Sequence, residues 1–92
     1  MHTDLTQKAI NFAIDANWKE AIATNLLILE NDKEDIEALN RLAYAYFASG
    51  NVEKAKQYSR EVLKLDPNNS IAVKSLAKFS QGNINSKSSL AS

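Results

Sequence analysis

Apolar residues along this chain recur three and four positions apart. Leu5, Ala9, Phe12 and Ala13 come first, then Trp18, Ala21, Ile22, Ile28 and Leu29, then Leu39, Leu42, Ala43 and Tyr46. That spacing gathers side chains on one side of a helix, whereas a half-buried strand would alternate, and no alternating run is present. The punctuation follows the same rhythm. Asn17 with Glu20 three residues on has the form of a capping box, in which the amide oxygen accepts from a free helix N–H and the carboxylate reaches back. Gly50-Asn51 closes one helix and opens the next, and Asp66-Pro67-Asn68-Asn69 stops another, because Pro lacks the N–H that would continue the ladder. The pattern predicts five helices over about 4–15, 18–31, 36–48, 52–64 and 70–80. The closing QGNINSKSSLAS is small, polar and aperiodic, which predicts a flexible polar tail over 81–92.

Shifting the sequence by 34 residues aligns it with itself. Leu5 falls on Leu39, Ala9 on Ala43, Phe12 on Tyr46, Asn17 on Asn51, Ala21 on Ala55, Ile28 on Val62, Leu29 on Leu63 and Asp32 on Asp66. A second shift places Leu39 on Val73, Leu42 on Leu76 and Ala43 on Ala77. Two helical hairpins and one further helix therefore share a period. A unit of that length carrying Leu39, Leu42, Ala43, Tyr46, Gly50, Ala55, Val62 and Pro67 resembles the tetratricopeptide repeat. The first hairpin departs from the pattern at Lys8, at Ala16 in place of the turn Gly and at Lys33 in place of the closing Pro. Asn25 and Ser59 occupy a position that is usually aromatic in the family.

The resemblance implies an all-α fold, a short right-handed α-solenoid of five helices. Its repeats would cover about 2–35 and 36–69, with a C-terminal capping helix over 70–80, so that the helical domain spans 1–80. Ala43 and Ala55 would sit where the two helices of a hairpin cross closely. Val73, Leu76 and Ala77 would cover the second hairpin while Lys74 and Lys78 face water. Phe79 has no place in that scheme.

Solenoids of this family are generally binding scaffolds whose first helices line a concave groove. The resemblance thus implies a protein-protein interaction module that holds a peptide or helix segment of a partner. The groove-facing positions are Thr3, Thr6, Ile10, Ala13 and Ile14, then Glu37, Asn40, Tyr44, Phe47 and Ala48, then Lys74 and Lys78. Ile10, Ile14, Tyr44 and Phe47 are surplus to the core stripe. With Asn40, Lys74 and Lys78 they form the expected partner-binding groove, suited to an apolar segment bearing a carboxylate. The competing assignment is that they only broaden packing between neighbouring first helices. Recognition of chaperone tails is not expected, since Thr6, Ile10, Arg41, Ile71 and Ser75 stand where such members carry a carboxylate clamp.

Leu26, Leu27, Ile28 and Leu29 are four consecutive apolar residues, more than one helix face can hold. Ile28 and Leu29 match core positions, while Leu26 and Leu27 align with the charged Arg60 and Glu61. Three explanations stand: a self-association surface at Leu26 and Leu27, a rotated packing of this helix, or a site for a partner protein. The first makes the chain a self-associating structural scaffold, a homodimer or larger oligomer through the first hairpin. It has a physical motive, because solenoids need roughly three repeats for independent stability.

Composition narrows the chemistry. At 92 residues the chain has room for one small domain, and 45% hydrophobic with 24% charged content is ordinary for a globular one. There is no Cys for a disulfide or thiol site, and no apolar run reaches the roughly 20 residues of a membrane span. The opening MHTDLTQKAINF has no signal-peptide pattern, so the expected location is cytoplasmic. No enzyme is expected: His2 is the single histidine, and no metal-ligand spacing or phosphate-binding Gly loop is present, so no metal, cofactor or small-molecule substrate is expected. Asp32, Glu34, Asp35 and Glu37 straddle a turn and a helix start, where negative charge suits the helix dipole. The zero net charge conceals an imbalance: residues 1–51 carry four Lys or Arg against eight Asp or Glu, and residues 52–92 carry seven against three. Lys56, Arg60 and Lys64 make a cationic stripe, but Glu53 and Glu61 interrupt it, and a nucleic-acid partner is not expected.

Overall fold

The computed structural model describes the backbone of residues 2–91 and the side chains of residues 4–81. The described residues form five α-helices: α1 (His2–Ile14), α2 (Trp18–Asn31), α3 (Ile36–Ala48), α4 (Val52–Leu65) and α5 (Ser70–Ala91). Each packs against the next in order, and α3 also touches α5. The architecture is therefore the expected all-α helical-hairpin solenoid. The side chains of His2 and Thr3 lie outside the described residues.

The turns show why the repeat closes twice in the same way. At the end of α1, Ala16 N–H donates to Ala13 O at 3.0 Å and Asn17 N–H to Phe12 O at 2.8 Å. At the end of α3, Gly50 N–H donates to Phe47 O at 3.0 Å and Asn51 N–H to Tyr46 O at 2.8 Å. These paired bonds satisfy the last carbonyls of a helix and require a left-handed residue at the turn. Gly50 supplies it at φ 99°, and Ala16 is forced into it at φ 57°.

The turns between hairpins also match. Asp32 and Asp66 are both extended, at φ −146° and −142°. Lys33 replaces Pro67, and there the Asp32 carboxylate accepts from Glu34 N–H at 3.0 Å, fixing by a side-chain bond what Pro67 fixes by its ring. Helix starts use the short polar residues: Asp35 accepts from Ala38 N–H at 3.0 Å, Asn51 from Lys54 N–H at 3.2 Å and Asn69 from Ala72 N–H at 2.9 Å.

The capping box at Asn17 and Glu20 does not form. Asn17 is the N-cap of α2 but its side chain makes no capping bond. Its own N–H is committed to Phe12 O, so Glu20 has no amide to reach back to. Nothing in the structure explains why the Asn17 side chain stays out of the cap.

Three apolar junctions hold the layers, each joining a hairpin to the helix that follows it. Ala9, Ile28 and Ala38 join α1, α2 and α3; Leu39, Val62 and Ala72 join α3, α4 and α5; Ala43, Ala55 and Phe79 join the same three helices further along. Alanines at the crossings let helix axes approach closely, and the larger Leu, Val and Phe fill the space beside them.

Two expectations for the last helix are corrected. Val73 is 51% exposed and Ala77 is exposed, while Ala72 and Phe79 are fully buried. The matching Leu39 and Ala43 are buried because α4 covers them, and among the described residues no helix stands in that place beside α5. Contact with the preceding hairpin falls instead to Ala72 and Phe79, which match Ala38 and Ala45. The helix also continues past the expected end near residue 80. Gly82 is the sole strong breaker in that stretch, and a Gly within a helix costs only about 1 kcal/mol.

Candidate functional site

The first helices of successive units, α1, α3 and α5, face one side of the molecule and line an open cavity of about 520 Å³. Ala13 contributes from α1; Glu37, Asn40, Arg41 and Tyr44 from α3; Ile71 and Ser75 from α5. Residues 37, 40, 41 and 44 recur at one helical turn, so α3 presents a continuous stripe to this space.

The walls are braced from behind. Asn25 of α2 is buried, its Nδ2 donates to Ala21 O at 2.9 Å, and its Oδ1 accepts from Arg41 Nε at 3.0 Å. Arg41 is thereby held at the cavity by a side chain from the helix behind it. Among the described residues the sole ion pair is Lys64 with Glu61 at 3.3 Å, so Arg41 lines the cavity without a carboxylate in ion-pair contact, Glu37 lining the same cavity one turn away. Tyr44 is 45% exposed, its ring edge-on to Trp18 at 5.6 Å, with the Lys78 ammonium 5.4 Å from its centroid. Asn40 has a structural bond: its Nδ2 donates to Asn69 Oδ1 at 3.3 Å, and Asn69 Nδ2 donates to Asp66 Oδ2 at 3.2 Å. This network ties the groove wall to the start of α5.

The residues expected in the groove are distributed as follows. Asn40 and Tyr44 line the cavity. Lys78 stands at its rim over Tyr44 and 5.9 Å from the Phe47 ring. Ile10 is half-buried and Ile14 is exposed, outside the cavity lining. Lys74 is exposed and also outside it. Phe47 is a packing residue, stacked on Phe79 with centroids 4.5 Å apart against the Ala43–Ala55 junction.

Arg41, Ile71 and Ser75 line the site although they were not among the residues expected to bind. The signal for them was present: a shift of 34 places Glu37 on Ile71 and Arg41 on Ser75, the same two positions of successive first helices. Leu26 and Leu27 are exposed on α2, away from this face. The acidic group near the first inter-hairpin turn is used locally, Asp32 and Asp35 accepting backbone N–H bonds. Among the described residues no group of His, Asp and Glu could hold a metal ion, and no helix is long and apolar enough to cross a membrane. In the cationic stripe of α4, Lys64 pairs with Glu61.

Helical hairpins repeating every 34 residues, with their first helices around one concavity, define a helical-repeat scaffold. Residues 36–69 match the family model of the tetratricopeptide repeat, and that segment is a member of the family. The first hairpin reproduces the backbone hydrogen bonds of its turns, and α5 begins the same unit again. Repeats of this family generally mediate interactions between proteins. A search of curated proteins gave no match to the chain.

Proposed function

We propose that the protein is a non-catalytic interaction module whose concave face, α1, α3 and α5, holds a short segment of a partner protein. The observation that carries this reading is the cavity of about 520 Å³ built from all three first helices, a volume suited to a few side chains of a bound chain. Tyr44 and Ile71 supply apolar contact. Arg41, braced by Asn25, supplies a fixed cation for a partner carboxylate, since a guanidinium fork matches carboxylate geometry. The expected partner is therefore an apolar peptide or helix that carries Asp, Glu or a terminal carboxylate.

The test uses a peptide library sorted on the folded protein, with bound peptides mapped by NMR shift changes. Selected peptides are expected to be apolar and acidic, to perturb Ala13, Tyr44, Ile71 and Ser75, and to lose at least tenfold affinity with Tyr44→Ala or Arg41→Ala, about 1.4 kcal/mol. Peptides that bind both variants as well as the wild type, or that perturb another face, would remove the groove from the function.

A second reading, self-association through the first hairpin, is favoured by one observation. Leu26 and Leu27 are exposed on α2, where the matching Arg60 and Glu61 of α4 are charged. It uses a different face, so the two readings are independent.

A further inference from the structure

Among the described residues two apolar helix faces are uncovered, and they are unlike each other. On α5, Val73 is 51% exposed and Ala77 is exposed, though the matching Leu39 and Ala43 are 4% and 0% exposed beneath α4. This is the seat of a sixth helix. Lys74 and Lys78 stand beside it, and residues 70–91 contain no Asp or Glu. On α2, Ala23, Leu26 and Leu27 are exposed, with Lys19 and Glu20 one turn before them and Glu30 one turn after. Next to Leu26 is an open recess of about 390 Å³ between α2 and α4, floored by Leu29, Leu39 and Tyr58.

We propose that α2 of a second copy of this chain seats on the open face of α5, supplying the helix that would complete a third repeat. This deepens the self-association reading by naming what Leu26 and Leu27 dock on. Charge favours the pairing: an apolar stripe bordered by Glu20 and Glu30 against the single Lys19 meets one bordered by Lys74 and Lys78 alone, and rims of opposite net sign favour encounter. The other described outer surfaces do not fit. The outer face of α1 carries Asp4, Lys8 and Asn11 where α3 has the buried Ala38, Leu42 and Ala45, and the outer face of α4 carries Glu53, Gln57, Arg60 and Lys64, all exposed. Pairing α5 with α5 would oppose lysines. The contact is heterologous: each copy that uses its α2 leaves its α5 open, so association continues past the dimer unless it closes into a ring.

Sedimentation velocity over about a hundredfold concentration range tests this, with helicity measured on the same samples. The wild type is expected to gain mass with concentration. Leu27→Glu and Val73→Glu each replace an exposed residue, keep wild-type helicity and are expected to sediment as monomers. Mixed together they are expected to form a complex of one copy of each and no larger, because one retains the α5 seat and the other retains α2. A wild type that stays monomeric throughout overturns self-association altogether. An associating wild type whose two variants do not combine, or a single variant that still associates as the wild type does, overturns this pairing while leaving self-association standing. Neither result bears on the groove.

Discussion

Ala16 holds a left-handed conformation, φ 57°, that its counterpart Gly50 adopts freely at φ 99°. A methyl side chain in that region costs about 1–2 kcal/mol, and part of any relief is returned because Gly is more disordered when unfolded. Ala16→Gly is expected to stabilise the protein by about 0.5–1 kcal/mol, raising Tm in a thermal melt by a few degrees. Ser59 is a second residue whose chemistry conflicts with its place. It is fully buried and its Oγ has no hydrogen-bond partner. Removing an unsatisfied buried hydroxyl while gaining helix propensity should make Ser59→Ala more stable by about 1 kcal/mol, read from urea midpoints. At the matching position Asn25 satisfies both ends of its amide, one on Ala21 and the other on Arg41. One position of the repeat thus serves as a polar brace in the first hairpin and as a defect in the second.

Helix starts differ in how firmly they are fixed. Asn51 accepts from Lys54 N–H, whereas Asn17 at the same place in α2 makes no capping bond. Asn51→Ala is expected to cost about 1 kcal/mol and Asn17→Ala close to nothing in paired chemical denaturation curves. Equal losses would mean that Asn17 caps α2 in solution. The boundaries of the second hairpin were legible because apolar spacing and the breakers Gly50 and Pro67 agreed there, and the 34-residue shift carried them to the first hairpin. Position along the sequence could not reveal that Asn17 N–H was already spent closing α1, nor that α5 would present Ala72 and Phe79 in place of Val73 and Ala77. Those outcomes depend on which helices are neighbours, and α5 has one fewer neighbour than α3.

Across the whole molecule, the largest fully buried side chain lies where α5 meets the second hairpin. Phe79 is completely buried and stacks on Phe47 beside Ala43 and Ala55. Phe79→Ala is expected to cost about 3–5 kcal/mol, comparable to the entire stability of a small domain, and to appear as a lost or broadened thermal transition in circular dichroism. Tyr44→Ala, at the exposed groove wall, should leave the melt nearly unchanged. The period of 34 residues, the small residues at crossings and the turn signals determined by themselves that the chain forms two hairpins and starts a third, because those features act through local geometry and repeat with the chain. Tertiary structure decided which of the side chains at groove-facing positions reach the concave cavity. Arg41, Ile71 and Ser75 arrive there because α1, α3 and α5 come together around it, while Phe47 is drawn into packing because Phe79 comes to lie against it. A residue's spacing fixes the helix face it occupies, and only the helices packed around that face decide whether it meets a neighbour, a groove or water.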